Sequence, residues 1–113
     1  MVLDSHVHFW SPARGDYGWL QPQDPLLYRD YLPNHLDAER QSCGVEAVIA
    51  VQAAPTEDEA AFLLALSRVH PWIAGVIGGM DPRGDDFAAA WDRLRRDHRF
   101  KGIRMNGADF RPA

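Results

Sequence analysis

Two histidines stand two residues apart near the start of the chain, in Asp4-Ser5-His6-Val7-His8. On a β-strand side chains alternate between faces, so Asp4, His6 and His8 point one way and Leu3, Ser5 and Val7 the other. Two imidazoles on one strand face can converge on a single divalent cation, and neutral imidazole nitrogen suits zinc and similar borderline metals. His-x-His also arises by chance, and a solvated or packed pair is the plain alternative. Two details favour chemistry. The strand is short and apolar on its other face, and Phe9 and Trp10 follow directly, as in a strand running into a lined pocket.

Other polar residues fall at the ends of apolar runs further along. Gln52 follows Ala47–Val51, Asp81 follows the run that begins at Ile73, and Arg104 closes Lys101–Met105. Asp81-Pro82 could be no more than a turn and Gln52 a loop hydrogen-bonder. Taken with His6 and His8, they would ring one mouth at the C-terminal ends of the strands, where α/β proteins place their sites. An arginine in such a mouth suits a substrate carboxylate, through two parallel hydrogen bonds.

The elements that would hold these residues repeat. The apolar runs 47–51, 73–77 and 101–105 read as buried parallel strands, near-continuous because both faces are covered. Their centres, Ile49, Val76 and Ile103, are 27 residues apart at each step, which fits one strand, one helix and two short loops. Asn34 is placed to cap the first helix and Gly44 to end it. Thr56 and Glu59 fit a capping box for the second. Its Phe62, Leu66 and Val69 share a helical face, and Pro71 stops it. The third starts near Asp85-Asp86 and puts Phe87, Trp91 and Leu94 on one face. The order β-α-β-α-β-α-β argues a parallel sheet with outer helices. The first unit is longer: residues 9–33 form an irregular stretch with Trp10, Tyr17, Trp19, Tyr28 and Tyr31, which could bind a ligand, act as a lid, or be packed by its own aromatics.

Composition bounds the rest. The chain has 113 residues, one domain's worth at most, with 46% hydrophobic and 25% charged residues. The net charge of -4 and the lack of a basic block argue against nucleic-acid binding. The cluster Arg93, Arg95, Arg96, His98, Arg99 and Lys101 reads as a solvated helix end. The single cysteine, Cys43, excludes an intramolecular disulfide and is expected to be buried in a packing role. No apolar stretch approaches ~20 residues and no signal peptide is evident, so no membrane span is expected and a soluble cytoplasmic protein is the default.

The stretch Asp4-Ser-His6-Val-His8-Phe-Trp10 resembles the opening motif of the amidohydrolase superfamily, in particular the amidohydrolase-2 branch of sugar-acid lactonases and pyrone-dicarboxylate lactonase. Val48-Ile-Ala-Val-Gln52-Ala, His70-Pro-Trp-Ile-Ala-Gly-Val-Ile-Gly78 and Lys101-Gly-Ile-Arg104 match in order, so the resemblance covers essentially the whole chain. It implies an α/β fold, the N-terminal half of a (β/α)₈ TIM barrel with about four parallel strands and three helices, and residues 1–113 as one incomplete domain. It implies a hydrolase acting on a lactone of a sugar acid or an aromatic-degradation intermediate. His6 and His8 would be catalytic and would hold a divalent metal, zinc by preference, or would polarise the carbonyl without one. Trp10, Gln52, Asp81 and Arg104 would bind an acidic small molecule. Met105 and Asn106 after Arg104 look more like pyrone-dicarboxylate lactonase than like the sugar lactonases, many of which carry histidine next.

The resemblance also implies what lies elsewhere. A (β/α)₈ barrel takes about 250 residues, and the later-strand histidine and eighth-strand aspartate of the family have no counterpart here. Half a barrel would leave the fourth strand as an open edge, and open edges pair with other chains. A chain ending at Phe110-Arg-Pro-Ala113 is therefore expected to be a truncated product, a fragment, or one piece of a homo-oligomer. Two alternatives to the lactonase stand beside it: a metal-dependent decarboxylase of the same branch, and a catalytically inert remnant or assembly module.

Overall fold

The computed structural model describes residues 1–105. Four strands, β1 (Val2–Val7), β2 (Val45–Val51), β3 (Ile73–Gly79) and β4 (Phe100–Arg104), form one parallel sheet in the order β1-β2-β3-β4. Three helices alternate with them: α1 (Pro33–Ser42), α2 (Glu57–Val69) and α3 (Phe87–Leu94). This is the four-strand, three-helix α/β arrangement expected from the sequence. Right-handed crossovers between neighbouring parallel strands bring each helix to the same face of the sheet. There Val48, Ala50, Ile73, Val76 and Phe100 pack against Ala60, Leu63, Leu64, Ala90 and Leu94.

The strands are not covered on both faces, as their apolar runs suggested. On the face away from the helices Ile49 and Ile77 are only half-buried and Lys101 is exposed. Val2 and Leu3 of β1 are 55% and 48% exposed. The apolar other face expected of the first strand thus becomes buried only near its end, at Val7 and Phe9. The reason is position: among the described residues β1 has a neighbour on one side alone.

Local details diverge instructively. Asn34 does not cap α1. The N-cap is Leu32, Pro33 takes the first helical position, and the imidazole Nδ1 of His35 accepts from the Leu32 N–H at 3.0 Å. Gly44, at φ +74°, then takes the left-handed conformation that ends the helix. Cys43 is exposed, not packed, because α1 turns that end of the helix to solvent. In α2 the buried stripe is Ala60, Leu63, Leu64 and Ser67. The stripe expected from sequence is rotated outward: Phe62 and Leu66 are half-buried and Val69 is 73% exposed. Both stripes have helical spacing, and the smaller Ala60 and Ser67 let the helix sit closer on the sheet. In α3, Phe87 and Trp91 stack at 6.0 Å and Leu94 is buried, as the spacing indicated.

The basic cluster is a solvated, ion-paired surface: Arg93 pairs with Glu57, and Arg95 and Arg96 with Asp92. Among the described residues no helix is long and apolar enough to cross a membrane. Asn106 and the stretch Phe110–Ala113, on which two of the sequence expectations rest, lie outside the described residues.

Candidate functional site

At the C-terminal end of β1 the strand alternation does what the motif requires. The Nε2 atoms of His6 and His8 stand 3.1 Å apart, with the rings edge to face. The Nδ1 of His8 lies 2.9 Å from the Val51 carbonyl at the end of β2. A carbonyl only accepts, so His8 Nδ1 carries the proton and Nε2 keeps its lone pair facing His6. Backbone orientation of the far ring nitrogen is the usual support of a metal-binding imidazole. The 3.1 Å separation is also close to that of two imidazole nitrogens each ~2.0–2.1 Å from one zinc ion at a roughly tetrahedral angle. The pair therefore fits a divalent metal. It supplies two ligands of the three or four such a site needs: among the described residues no group of three His, Cys, Asp or Glu comes together. Asp4 is not a third, since its Oδ1 accepts from the His6 backbone N–H at 3.1 Å.

His8, Trp10, Gln52 and Arg104 line one cleft of about 500 Å³, together with Trp19, Ala53 and Pro55. Four sequence-predicted residues from three strand ends thus meet, and His6 joins them through His8. Gln52 is placed by a glycine. A Cβ on Gly79 would fall 2.8–2.9 Å from Cδ, Cγ and Nε2 of Gln52, so the bare backbone of β3 gives that side chain its room. Trp10 is held by paired backbone bonds with Tyr31 (3.0 and 2.9 Å) and by its indole N–H on the Leu27 carbonyl at 3.0 Å.

Asp81 is not brought to this cleft. It lines a separate cavity of about 350 Å³ between α2 and α3, with Glu57, Asp86 and Phe87. Its carboxylate accepts from the side chain and backbone N–H of Arg83 (2.9–3.3 Å), contacts that hold it below the ordinary carboxylate range. The turn reading of Asp81-Pro82 is the one the geometry matches.

Glu59 too departs from its sequence expectation. Its backbone N–H donates to the Thr56 hydroxyl at 3.0 Å, the first half of the expected capping box. Its side chain does not return to Thr56. It is fully buried and receives Arg14 Nη1 at 2.6 Å, the Tyr17 hydroxyl at 2.9 Å and the Ala53 N–H at 2.8 Å. Burial pushes its carboxyl up, and the three donors oppose that shift. Burial likewise pushes the Tyr17 phenol up to about 12, so it stays a donor. Asp16 completes the cluster through Arg14 and the Thr56 hydroxyl. The long first loop is thereby both packed by its own aromatics (Trp10, Tyr17, Trp19 and Tyr31) and a wall of the cleft. The only sequence signal for the cluster was a run of polar residues in an otherwise aromatic loop.

No family model matches the chain. Two curated proteins do. One is a L-fucono-1,5-lactonase of Burkholderia ambifaria, 33% identical over 102 residues, which are 90% of this chain. The other is a L-fucono-1,5-lactonase of Burkholderia multivorans, 39% identical over 105 residues, or 93% of this chain. The chain spans about a third of the length of these relatives, 35% and 33%. Two crystal structures of an amidohydrolase from Burkholderia multivorans, one with bound zinc and one with bound HEPES, superpose with TM-scores of 0.77 and 0.79 at 37% identity. Each match covers 91% of this chain and 36% of that one.

Proposed function

We propose, from the homology of this chain to amidohydrolases over nine tenths of its length, that it forms the first-strand side of the active site of a lactone-hydrolysing enzyme. The observation that carries the reading is the His6–His8 pair, Nε2 to Nε2 at 3.1 Å, opening onto the cleft shared by Trp10, Gln52 and Arg104. Two relatives named as L-fucono-1,5-lactonases support a sugar-acid lactone as substrate. A related structure with zinc bound supports a divalent metal on the pair. The exposed free thiol of Cys43 suits a reducing, cytoplasmic setting.

The reaction adds water to the lactone carbonyl and breaks the ring C–O bond, leaving a hydroxy acid. A metal held by His6 and His8 supplies Lewis-acid polarisation of the carbonyl and a lowered pKa for water. Val51, by fixing the proton on His8 Nδ1, keeps Nε2 available. Arg104 offers a planar fork of donors to a carboxylate, whether carried by the substrate or released on opening. Gln52 positions the ring oxygens through its amide, and the indoles of Trp10 and Trp19 wall the apolar faces. No described residue is placed to serve as the acid/base, so the remaining ligands and that base are to come from outside residues 1–105 or from another chain of a homo-oligomer.

The test uses the complete natural protein, with a panel of sugar-acid lactones and acid release followed at constant pH. Ring opening by the wild type, abolished in His6→Ala plus His8→Ala, is the expected result. Unchanged opening in that double variant would overturn the assignment. Carbon dioxide release in place of ring opening would move the site to the decarboxylases of the same branch. Assaying the 113-residue chain by itself asks whether it is inert without a complementing chain.

A further inference from the structure

We infer that Glu59 is a positioning residue which locks the Arg14–Trp19 segment of the first loop onto the end of β2 and so sets the wall of the cleft. The inference rests on the functional reading above for its kinetic consequence, but its structural part stands independently.

Glu59 is the node of a short chain of contacts. On one side it takes Arg14 and Tyr17 from the loop, 45 and 42 residues earlier. On the other it takes the N–H of Ala53, a cleft residue next to Gln52. The carbonyl of the same Ala53 accepts the indole N–H of Trp19 at 2.7 Å. Trp19 in turn meets Trp10 edge to face at 5.2 Å. Ala53 is therefore held through both its backbone polar groups, once by Glu59 and once by Trp19. Trp19, one of the cleft's aromatic walls, is tied directly to that residue and abuts the other, Trp10.

A carboxylate is needed at this place for a physical reason. A fully buried charge is costly unless paired and hydrogen-bonded. Here the guanidinium of Arg14 neutralises it and three donors reach its two oxygens. The Arg14 guanidinium lies 4.7 Å over the Phe62 ring, so it too is held from a second direction. Motion of the loop away from α2 breaks the Arg14 and Tyr17 contacts to Glu59, which favours the closed wall over open ones.

The mutation that separates positioning from bulk is Glu59→Gln. It keeps the size and can still accept from Ala53, yet removes the buried one of Arg14's two carboxylate partners and leaves only Asp16 as its counter-charge. In the full-length protein Glu59→Gln is expected to raise KM for the lactone about tenfold with kcat changed by less than about threefold, since small misplacements of binding groups carry such factors. Limited trypsinolysis is expected to cut after Arg14 selectively, with the bonds after Arg40 and Arg68 as protected as in the wild type. Tyr17→Phe, which removes one donor and keeps the ion pair, gives a smaller change in the same direction and carries the test should Glu59→Gln not fold. Unchanged protection at Arg14, or cleavage that rises equally at all three arginines, would overturn the inference. If the wild type opens no lactone, the functional reading fails and the Arg14 cleavage alone decides the inference.

Discussion

Strand ends on the same side of the sheet have opposite fates. At the ends of β1, β2 and β4, His8, Gln52 and Arg104 come from distant parts of the chain and line a shared cleft, with His6 beside His8. At β3, Asp81 meets Arg83, two residues on, and its carboxylate is satisfied within one turn. What matters for function is therefore whether the local chain has already consumed the polar group. A carboxylate with a partner two residues away is a turn element. A ring nitrogen held in place by a strand neighbour's carbonyl, with its other nitrogen open, is available for chemistry.

The largest effect expected from this contrast is the gap between His8→Ala and Asp81→Asn. In the complete protein His8→Ala is expected to lower kcat/KM by a factor on the order of 10³ or more, the scale of losing metal-derived catalysis. It should also lower bound divalent metal as counted by elemental analysis. Asp81→Asn should stay within about twofold on both readouts. Equal losses at the two positions would break the comparison.

The glycine beneath Gln52 offers a finer cut. Its backbone φ is ordinary, so Gly79→Ala adds a methyl without backbone strain, but that methyl lands 2.8–2.9 Å from the Gln52 side chain. Gln52 must swing away. KM is expected to rise roughly tenfold with the fold intact, the size of effect that a small misplacement of a binding group produces. In a Gln52→Ala background the same substitution should cost little, because residues in contact show coupled effects that vanish when one partner is gone. Additive losses in this double-mutant cycle would show that Gly79 acts otherwise.

These residues also mark how far the sequence could be read. The strands were legible because apolar runs at a regular 27-residue step leave few alternatives, and the His6–His8 pairing because strand alternation is a local rule. Glu59 was misread because the capping rule looks three residues away, whereas its partners Arg14 and Tyr17 lie more than forty residues earlier. The buried face of α2 was misread for a related reason. Phe62-Leu66-Val69 and Ala60-Leu63-Leu64-Ser67 both satisfy helical spacing, and only the sheet's distance decides between them. Asp81 showed the reverse error, since its decisive partner was two residues away.

The buried and exposed clusters should also titrate at opposite ends of the pH scale. Tyr17 titrates near 10 when unfolded and about 12 when folded. Its neutral form is thus favoured by folding, a stabilisation fully present below 10 and lost as pH rises toward 12. For a phenol this buried the loss is on the order of 1–3 kcal/mol. Chemical denaturation in steps of ~0.5 pH unit from pH 9 to 12 should show it in the wild type and a flatter curve in Tyr17→Phe.

The smallest effect lies on the surface, where α2 and α3 are tied by Arg93 Nε and Nη2 on the Glu57 carboxylate at 2.7 and 2.6 Å. Those hydrogen bonds hold Glu57 below its ordinary 4.5. The sign is the reverse of that for Tyr17: the stabilisation is present above 4.5 and is lost as pH falls through the folded value. Arg93 is exposed and Glu57 half-buried, so the pair contributes little and is screened by salt. Arg93→Ala should therefore lower the thermal midpoint slightly near neutral pH, with the gap from wild type closing in acid or in ~1 M salt. A gap that persisted under both conditions would mean that Arg93 contributes by packing its alkyl stem, and that surface and buried clusters differ less than their burial implies.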